Sequence, residues 1–370
     1  MKQIKGLDTL RAFAVFFVVM QHLGVWFDAG TPIGHFILYV LIPDGGFGVT
    51  LFFVLSGFLI TSILLNAKRS TENNNHFFTI KNFFIRRALR IFPIYYLLLL
   101  VLFLVNYQDV RQHIVYFATY TSNILIYHSG WNCLSHTWSL SIEEQFYLVW
   151  PWLVLFIKDE YLKYLFTGAI VTGIVSTHFA LYSGHLHPML VYHFFDAFGI
   201  GGFYAYTRHE FKESDKVKKI ITALACICLV AYFYWKVMVY AEHPMHFIFM
   251  IKTVHSIIAV WLIMLVINNR SVWVKKYILE NRFLNFIGKI SYGIYLYHYV
   301  YNDALATPVN NFLNKVISHY SSNISPPDNH YYFWVHAAMI ILISTISYLF
   351  IERPILNLKK FFRYDRSRAK

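Results

Sequence analysis

Ten segments of this 370-residue chain are long and apolar enough to be candidate membrane-spanning helices. A helix needs about 20 mostly apolar residues to cross the hydrocarbon core of a bilayer, where its backbone must satisfy its own hydrogen bonds. The sequence therefore predicts an all-α, polytopic transmembrane bundle of about ten spans. These are residues 6–27, 46–65, 91–107, 138–157, 161–182, 189–206, 217–240, 246–267, 284–302 and 333–351. A shorter, more polar segment, 114–127, is predicted to lie at the interface or to re-enter the membrane.

Composition and charge distribution support this interpretation. The chain is 57% hydrophobic and only 14% charged, whereas soluble domains hold about 25% charged residues. The formal net charge is +13, but Lys and Arg concentrate in alternate loops and in the tail after the last span. The positive-inside rule then predicts that both termini are cytoplasmic, and this pattern argues against a nucleic-acid partner. We expect a single membrane domain over 1–370, with a core at 6–354 and a basic tail at 355–370. The three cysteines indicate neither a disulfide framework nor a metal site.

The first span carries two ionisable residues on one face. Arg11 and His22 are eleven residues apart, which is close to three helical turns and roughly 16 Å along the axis. Ionisable residues inside a membrane mark functional sites by default.

Two other spans are predicted to bring polar groups to the depth of His22 in the outer half of the bundle. These groups are Glu143 and Glu144 in the fourth span and His298 in the ninth. A lone histidine in a membrane more often bonds a neighbouring helix. Polar side chains at the same predicted depth on three helices instead favour a polar cavity, in which a carboxylate orients a histidine as a general base.

A second constellation lies near the predicted cytoplasmic side, in the stretch KNFFIRRALRIFP. Arg87 and Arg90 share a helix face, with Arg86 alongside. These guanidiniums suit either anionic lipid headgroups or the phosphates of a nucleotide. In the second span, Ser56–Gly57 forms a small polar notch through which an extended chain could pass, although small residues serve helix packing equally well.

Six motifs together resemble the bacterial acyltransferase-3 family of integral membrane enzymes. They run in order from Gly6 to Pro354: GLDTLRAFAVFFVVMQH, GFGVTLFFVLSGFLIT, RRALRIFP, HTWSLSIEEQFYLVWP, ISYGIYLYHYV and YLFIERPI. The family's Arg–ten residues–His motif falls on Arg11 and His22, its Arg-x-x-Arg motif on Arg87 and Arg90, and its acidic motif on Glu143. Thr50 departs from the pattern, because many members carry Asp there.

The resemblance implies transfer of an acyl group, usually acetyl, from acyl-CoA to a hydroxyl of a cell-envelope carbohydrate such as O-antigen, exopolysaccharide or a lipid-linked sugar. It also implies a multi-pass enzyme of the bacterial inner membrane whose partners are acyl-CoA, a carbohydrate or glycolipid acceptor and membrane lipids, without a metal. Some members carry a fused periplasmic esterase-like domain, which is not expected here, so transfer would occur alone or with separate partners. A non-glycan acceptor (lipid, antibiotic or peptide) and a proton-coupled transporter are the alternatives.

The expected site residues fall into three groups. We expect the catalytic residues to be His22, Glu143 and Arg11; the cofactor-binding residues to be Arg86, Arg87, Arg90 and Ser56; and the substrate-binding residues to be His298, Glu144 and Trp138. His22, oriented by Glu143, would take the proton of the acceptor hydroxyl, either in direct transfer or by way of an acyl-histidine.

Overall fold

The structure, a computed structural model, describes residues 6–23, 42–70, 75–131, 133–184, 188–211, 214–240, 248–320, 329–362 and 364. Helices account for nearly all of them, and no strand occurs within these ranges. The all-α prediction is therefore confirmed for the described part of the chain. Parts of the first and eighth predicted spans, 24–27 and 246–247, lie outside it.

Fifteen α-helices, short ones included, are numbered here in chain order over the described residues. They are α1 (Leu7–His22), α2 (Gly45–Ser70), α3 (His76–Leu104), α4 (Ile114–Ala118), α5 (Ser122–Ser129), α6 (Thr137–Phe156), α7 (Asp159–Tyr182), α8 (Phe195–Glu210), α9 (Asp215–Tyr240), α10 (Ile248–Ile267), α11 (Val272–Val274), α12 (Arg282–Ala304), α13 (Ala306–Tyr320), α14 (Asn329–Ser347) and α15 (Arg353–Leu356). Short 3-10 helices occupy Val191–Phe194 and Asn357–Phe361, and π-helical turns occupy Lys275–Leu279 and Tyr348–Glu352.

A helix occupies each of the ten predicted spans, but fewer meet a strict test of length and hydropathy. Among the described residues, five helices are long and apolar enough to cross a bilayer, or six if a pair bent by 99° is one span. The five are Gly45–Arg69, His76–Leu104, Asp159–Tyr182, Asp215–Val237 and Tyr332–Phe361. Helices α1 and α8 fall below the length threshold, with 16 residues each. Ten spans and cytoplasmic termini therefore remain predictions.

The segment predicted to be interfacial or re-entrant consists of α4 and α5, joined by a tight turn at Tyr120. Both helices are too short to cross a bilayer. The hydroxyl of Tyr95 on α3 donates to the carbonyl of Phe117 at 2.9 Å, and the side-chain amide of Gln145 on α6 donates to the carbonyl of Tyr120 at 2.9 Å. The segment is thus fixed against α3 and α6.

Glycines permit the closest helix contacts in the bundle. A Cβ at Gly201 of α8 would lie 2.2 Å from the carbonyl oxygen of Val54, and one at Gly57 of α2 would lie 2.2 Å from that of Phe198. These two helices therefore touch backbone to backbone, as small-residue packing allows. Gly288 of α12 similarly approaches Asp8 at the start of α1. Since His298 meets His22 near the other end of both helices, α1 and α12 run in the same direction.

Candidate active site

Three histidines meet at one end of the bundle, from three different segments of the chain. His22 ends α1, His298 lies on α12, and His136 immediately precedes α6. The ring centroids of His22 and His298 are 4.9 Å apart, and those of His136 and His298 are 5.4 Å apart. His136 and His298 are buried, whereas His22 is partly exposed. We call His22, His136 and His298 the histidine cluster.

Hydrogen bonds within the histidine cluster define the tautomer of His22. Nδ1 of His298 lies 2.6 Å from the carbonyl oxygen of Tyr295, and Nδ1 of His22 lies 3.0 Å from that of Val18. A carbonyl oxygen can only accept, so both Nδ1 atoms carry the hydrogen. In the neutral rings, Nε2 of His298 then accepts from Nδ1 of His22 at 3.1 Å. Nε2 of His22 keeps its lone pair, and none of the described residues hydrogen-bonds to it.

The prediction that Glu143 orients His22 is wrong in this structure. Glu143 accepts instead from the hydroxyls of Ser56 and Tyr147. The physical reason is depth, because Glu143 lies seven residues beyond His136 along α6, or about 10 Å at 1.5 Å per residue. Glu143 and His22 therefore do not share the depth that the sequence indicated, and His298 takes the orienting position.

Ser56, Glu143 and Tyr147 form a second polar group, the carboxylate cluster. The hydroxyls of Ser56 and Tyr147 are also 3.0 Å apart, so the three side chains form a closed triangle. The Arg87 guanidinium lies 4.3 Å from the centroid of the Tyr147 ring and donates to its hydroxyl at 3.4 Å. The Glu143 carboxylate thus sits beside a cation in the bundle interior, which offsets part of the cost of burying either charge.

A narrow central cavity of about 80 Å³ connects these groups. Its polar lining comes from Arg11, Ser56, Arg87, Arg90, Ser139, Glu143, Tyr147, Ser291, Tyr292 and Tyr295. The cavity ends at Ser139 and Tyr295, whose hydroxyls are hydrogen-bonded to each other. Behind them lies the histidine cluster, because the Tyr295 hydroxyl reaches the His136 carbonyl at 2.9 Å. The predicted residues Arg11, Ser56, Arg87, Arg90 and Glu143 are therefore brought together, while His22 lies beyond this end wall.

A larger basic cavity of about 400 Å³ adjoins the central cavity and shares Arg11, Leu59, Arg90 and Tyr292 with it. Its charged lining comprises Asp8, Arg11, Arg86, Arg90, Lys289, Glu352 and Lys359. Five of these seven residues are Lys or Arg, which suits a ligand that carries several phosphates. Arg11 also pairs with Asp8 at 2.5 Å, so Asp8 orients its guanidinium between the two cavities.

Arg86 has a different environment from Arg87 and Arg90. Its guanidinium donates to the carbonyls of Lys359 and Phe362 at 2.8 and 3.0 Å and lies 5.3 Å from the centroid of the Tyr364 ring. Burial raises the pKa of the Tyr364 hydroxyl, and the positive charge of Arg86 opposes that rise. Arg86 therefore anchors the segment that follows α15, and one face of its side chain borders the basic cavity.

The predicted substrate-binding residues are spread over three places. His298 is fully buried in the histidine cluster, where it orients His22. Trp138 packs against Phe53 and Phe194, with ring centroids 6.1 and 5.3 Å apart. Glu144 lines a third cavity, which shares Arg87 and Tyr147 with the central cavity but not Ser56. These three side chains do not form one binding surface.

Sequence reasoning missed His136, Ser139, Tyr147 and Tyr295. All four lie within motifs that were recognised, HTWSLSIEEQFY and ISYGIYLYHY, and the spacing carried a signal. Tyr295 and His298 are three residues apart, as are His136 and Ser139, so each pair shares one helix face. Polar residues at i and i+3 within apolar surroundings would have identified His136, Ser139 and Tyr295.

Comparison with known proteins supports the family resemblance that the motifs indicated. The profile of the acyltransferase-3 family, described as an acyltransferase domain, matches residues 4–351. The chain is 28% identical over 385 residues to "Peptidoglycan O-acetyltransferase OatA" of Listeria monocytogenes, covering 96% of this chain and 56% of the relative. It is 26% identical over 387 residues to "O-acetyltransferase OatA" of Staphylococcus aureus strain NCTC 8325 / PS 47, covering 96% and 57%.

A further relative, from Staphylococcus aureus strain COL, is provisionally named an O-acetyltransferase. It is 29% identical over 392 residues, which cover 96% of this chain and 57% of the relative. The chain thus spans a little over half the length of the curated relatives it matches. No solved structure matches it. With the family profile covering nearly all of its residues, the chain belongs to the acyltransferase-3 family of membrane acyltransferases.

Proposed function

We propose that this protein is a membrane O-acetyltransferase that moves an acetyl group from acetyl-CoA to a hydroxyl of a cell-envelope carbohydrate. The observation that carries the proposal is the order of features along the bundle. A basic cavity adjoins a narrow central cavity, which ends at a wall of two hydroxyls, and behind that wall lies a histidine whose Nε2 accepts no hydrogen bond from the described residues. Membership in the acyltransferase-3 family supplies the reaction class.

The basic cavity would hold the nucleotide part of the donor. Arg90, Lys289 and Lys359 place basic side chains from three different segments around one space, and arginine binds phosphate oxygens in a bidentate manner. The slender acyl-bearing arm would then lie in the central cavity, past Arg11 and the carboxylate cluster. Ser139 and Tyr295 must turn aside for the thioester to reach His22. The roughly 16 Å between the levels of Arg11 and His22 is the distance that the arm has to cover.

His22 would act as the general base through Nε2. As the acceptor oxygen attacks the thioester carbonyl carbon, Nε2 takes the hydroxyl proton. The tetrahedral intermediate then breaks its carbon–sulfur bond, and the imidazolium returns the proton to the departing thiolate of CoA. A positioned base typically contributes 10²–10⁴-fold to rate, provided that the correct nitrogen faces the substrate. The hydrogen bonds from Nδ1 to Val18 and His298 meet that requirement.

The acceptor is proposed from the relatives, one of which is named a peptidoglycan O-acetyltransferase. We propose a hydroxyl of a cell-envelope carbohydrate, with peptidoglycan as the first acceptor to test. Such polymers lie on the far side of the membrane from cytoplasmic acetyl-CoA. A base at the opposite end of the bundle from the basic cavity fits that arrangement.

The test measures release of free CoA and transfer of label from acetyl-labelled CoA in membranes that contain the protein and cell-wall fragments. We expect His22→Ala to abolish both signals, whereas the matched control His128→Ala, an exposed histidine on α5, retains them. Labelled fragments are then digested to identify the acetylated hydroxyl. Equal activity of wild type and His22→Ala would remove His22 as the base. Absence of label from every fragment, despite CoA release, would refute the carbohydrate acceptor.

A further inference from the structure

Three polar side chains lie together on the surface beside the histidine cluster. Gln108 follows α3, and Tyr299 and Asp303 lie on α12, four residues apart and therefore on one face of the helix. Gln108 and Asp303 are exposed, and Tyr299 is partly exposed. We call Gln108, Tyr299 and Asp303 the polar ledge. None of the three lines the central cavity or the basic cavity.

Contacts with two histidines connect the polar ledge to the proposed base. The Tyr299 ring stacks on His136, with centroids 4.8 Å apart and planes 18° apart, and meets His22 edge-on at 5.9 Å. Asn302, directly before Asp303, donates from its side-chain amide to the His22 carbonyl at 3.1 Å. Asp303 lies about 6 Å beyond Tyr299 along the helix axis. The polar ledge therefore begins beside His22 and extends one helical turn away from it.

The Asp303 carboxylate is held in place through one of its two oxygens. Oδ2 accepts from the hydroxyl of Tyr107 and, at 2.7 Å, from the side-chain amide of Gln108. None of the described residues hydrogen-bonds to Oδ1, to the Gln108 carboxamide oxygen or to the Tyr299 hydroxyl. The ledge thus offers two unused acceptors and one group that both donates and accepts. Since Gln108 and Asp303 are exposed, a ligand can approach them from solvent.

The turn that presents Gln108 has an unusual backbone. Asn106 and Gln108 have φ of 53° and 41°, in the left-handed region that non-glycine residues rarely adopt. Such a conformation persists where surrounding contacts hold it, and it is found often at binding and catalytic sites. The hydrogen bond from Gln108 to Asp303 is one such contact. It fixes an exposed carboxamide against an exposed carboxylate.

A sugar residue matches this arrangement, because it carries several hydroxyls on one rigid ring. Two of its hydroxyls can donate to the Asp303 carboxylate and the Gln108 carboxamide, and another oxygen can accept from the Tyr299 hydroxyl. An acyl chain or an apolar peptide would supply no hydrogen-bond donor to the carboxylate. The polar ledge therefore favours a hydroxyl-rich acceptor.

We propose that the polar ledge is the acceptor subsite, which binds one sugar residue of the carbohydrate and so presents a hydroxyl of that residue or of its neighbour to His22. This inference rests on the proposed function, since it takes His22 as the base. On α12 the lining of the central cavity ends at Tyr295, one turn before Tyr299. Donor and acceptor would thus reach His22 from opposite directions along α12.

Binding of glycan fragments tests the proposal without turnover. Soluble cell-wall glycan fragments, labelled with a fluorophore at the reducing end, are titrated with the protein in nanodiscs in the absence of acetyl-CoA. We expect Asp303→Asn to raise the dissociation constant about tenfold or more, as loss of a hydrogen bond to a charged group implies. Tyr299→Phe, which keeps the ring, should raise it about threefold. The control Asp215→Asn, an exposed aspartate at the start of α9, should bind like wild type.

Kinetics with the same variants separate this inference from the proposed function. Asp303→Asn should raise KM for the glycan fragments and not KM for acetyl-CoA, and only variants with the melting temperature of wild type are compared. Failure of wild type to bind the fragments, or equal binding by wild type, Asp303→Asn and Tyr299→Phe, overturns the acceptor subsite even if CoA is released. Binding that depends on Asp303 in a protein that releases no CoA would support the subsite and refute the acetyltransferase activity.

Discussion

The orientation of His22 by His298 makes a quantitative prediction. In His298→Leu the acceptor for the Nδ1 hydrogen of His22 is lost, while the bond from Nδ1 to the Val18 carbonyl remains. Losing a buried hydrogen-bond partner costs about 1–3 kcal/mol. Because Val18 still favours the active tautomer, we expect the lower part of this range, a fall in kcat of about tenfold with little change in KM for the donor.

The loss should be smaller than that of His22→Ala, since removal of a general base costs about 10²–10⁴-fold. The double variant His22→Ala/His298→Leu should be no slower than His22→Ala alone, because His298 acts only through His22. His298→Gln, whose side-chain oxygen can accept from Nδ1, should recover part of the rate. The assay is CoA release in detergent or nanodiscs, with melting temperature measured for each variant.

Two outcomes would refute this reasoning. If the rate losses of the single variants multiply in the double variant, His298 contributes to transfer independently of His22. If His298→Gln is as slow as His298→Leu while both remain folded, the hydrogen bond to Nδ1 is not what His298 provides.

Two further predictions test the donor site and the packing of the bundle. Arg90→Ala should raise KM for acetyl-CoA about tenfold or more, as loss of a charged hydrogen bond implies, because Arg90 lines the basic cavity proposed for the nucleotide. Arg86→Ala should raise KM less, because the Arg86 guanidinium mainly anchors the carbonyls of Lys359 and Phe362. Steady-state kinetics at matched ionic strength separate the two variants, and an equal rise in KM would contradict this division. Gly201→Ala places a Cβ 2.2 Å from the Val54 carbonyl oxygen and should lower stability by about 1–3 kcal/mol, measured as melting temperature in detergent, whereas the control Gly168→Ala meets no atom within 4 Å and should be neutral or slightly stabilising; equal melting temperatures would show that α2 and α8 separate without cost.

Hydrophobic periodicity was a reliable guide to where helices occur, because each predicted span contains one. It was a weaker guide to where they begin and end. Helix α3 starts fifteen residues before its predicted span, at His76, because Asn75 accepts from the Phe78 amide at 2.9 Å and caps it. A hydropathy pattern contains no information about an amphipathic extension that lies beyond the apolar core.

The residues of the candidate site were also partly predictable from local sequence. The sequence identified Arg11, Ser56, Arg87, Arg90 and Glu143, and the structure gathers them around one cavity, because ionisable groups in apolar helices must face a polar interior. It did not identify which partner each residue has. Counting residues inward from predicted helix ends put Glu143 level with His22, and an error in a helix end or tilt shifts such a depth by several ångströms.

The class of the protein could be recognised without tertiary information: a helical membrane bundle whose motifs place it in one family of acyltransferases. Those features follow from apolar content and from local residue order, which need no tertiary contacts. Tertiary contacts were needed to show that His298 and not Glu143 is hydrogen-bonded to His22, and that Arg86 anchors the segment after α15. Each of these depends on the angle and register at which helices distant in the chain cross, and close glycine contacts such as Gly288 against Asp8 set that register.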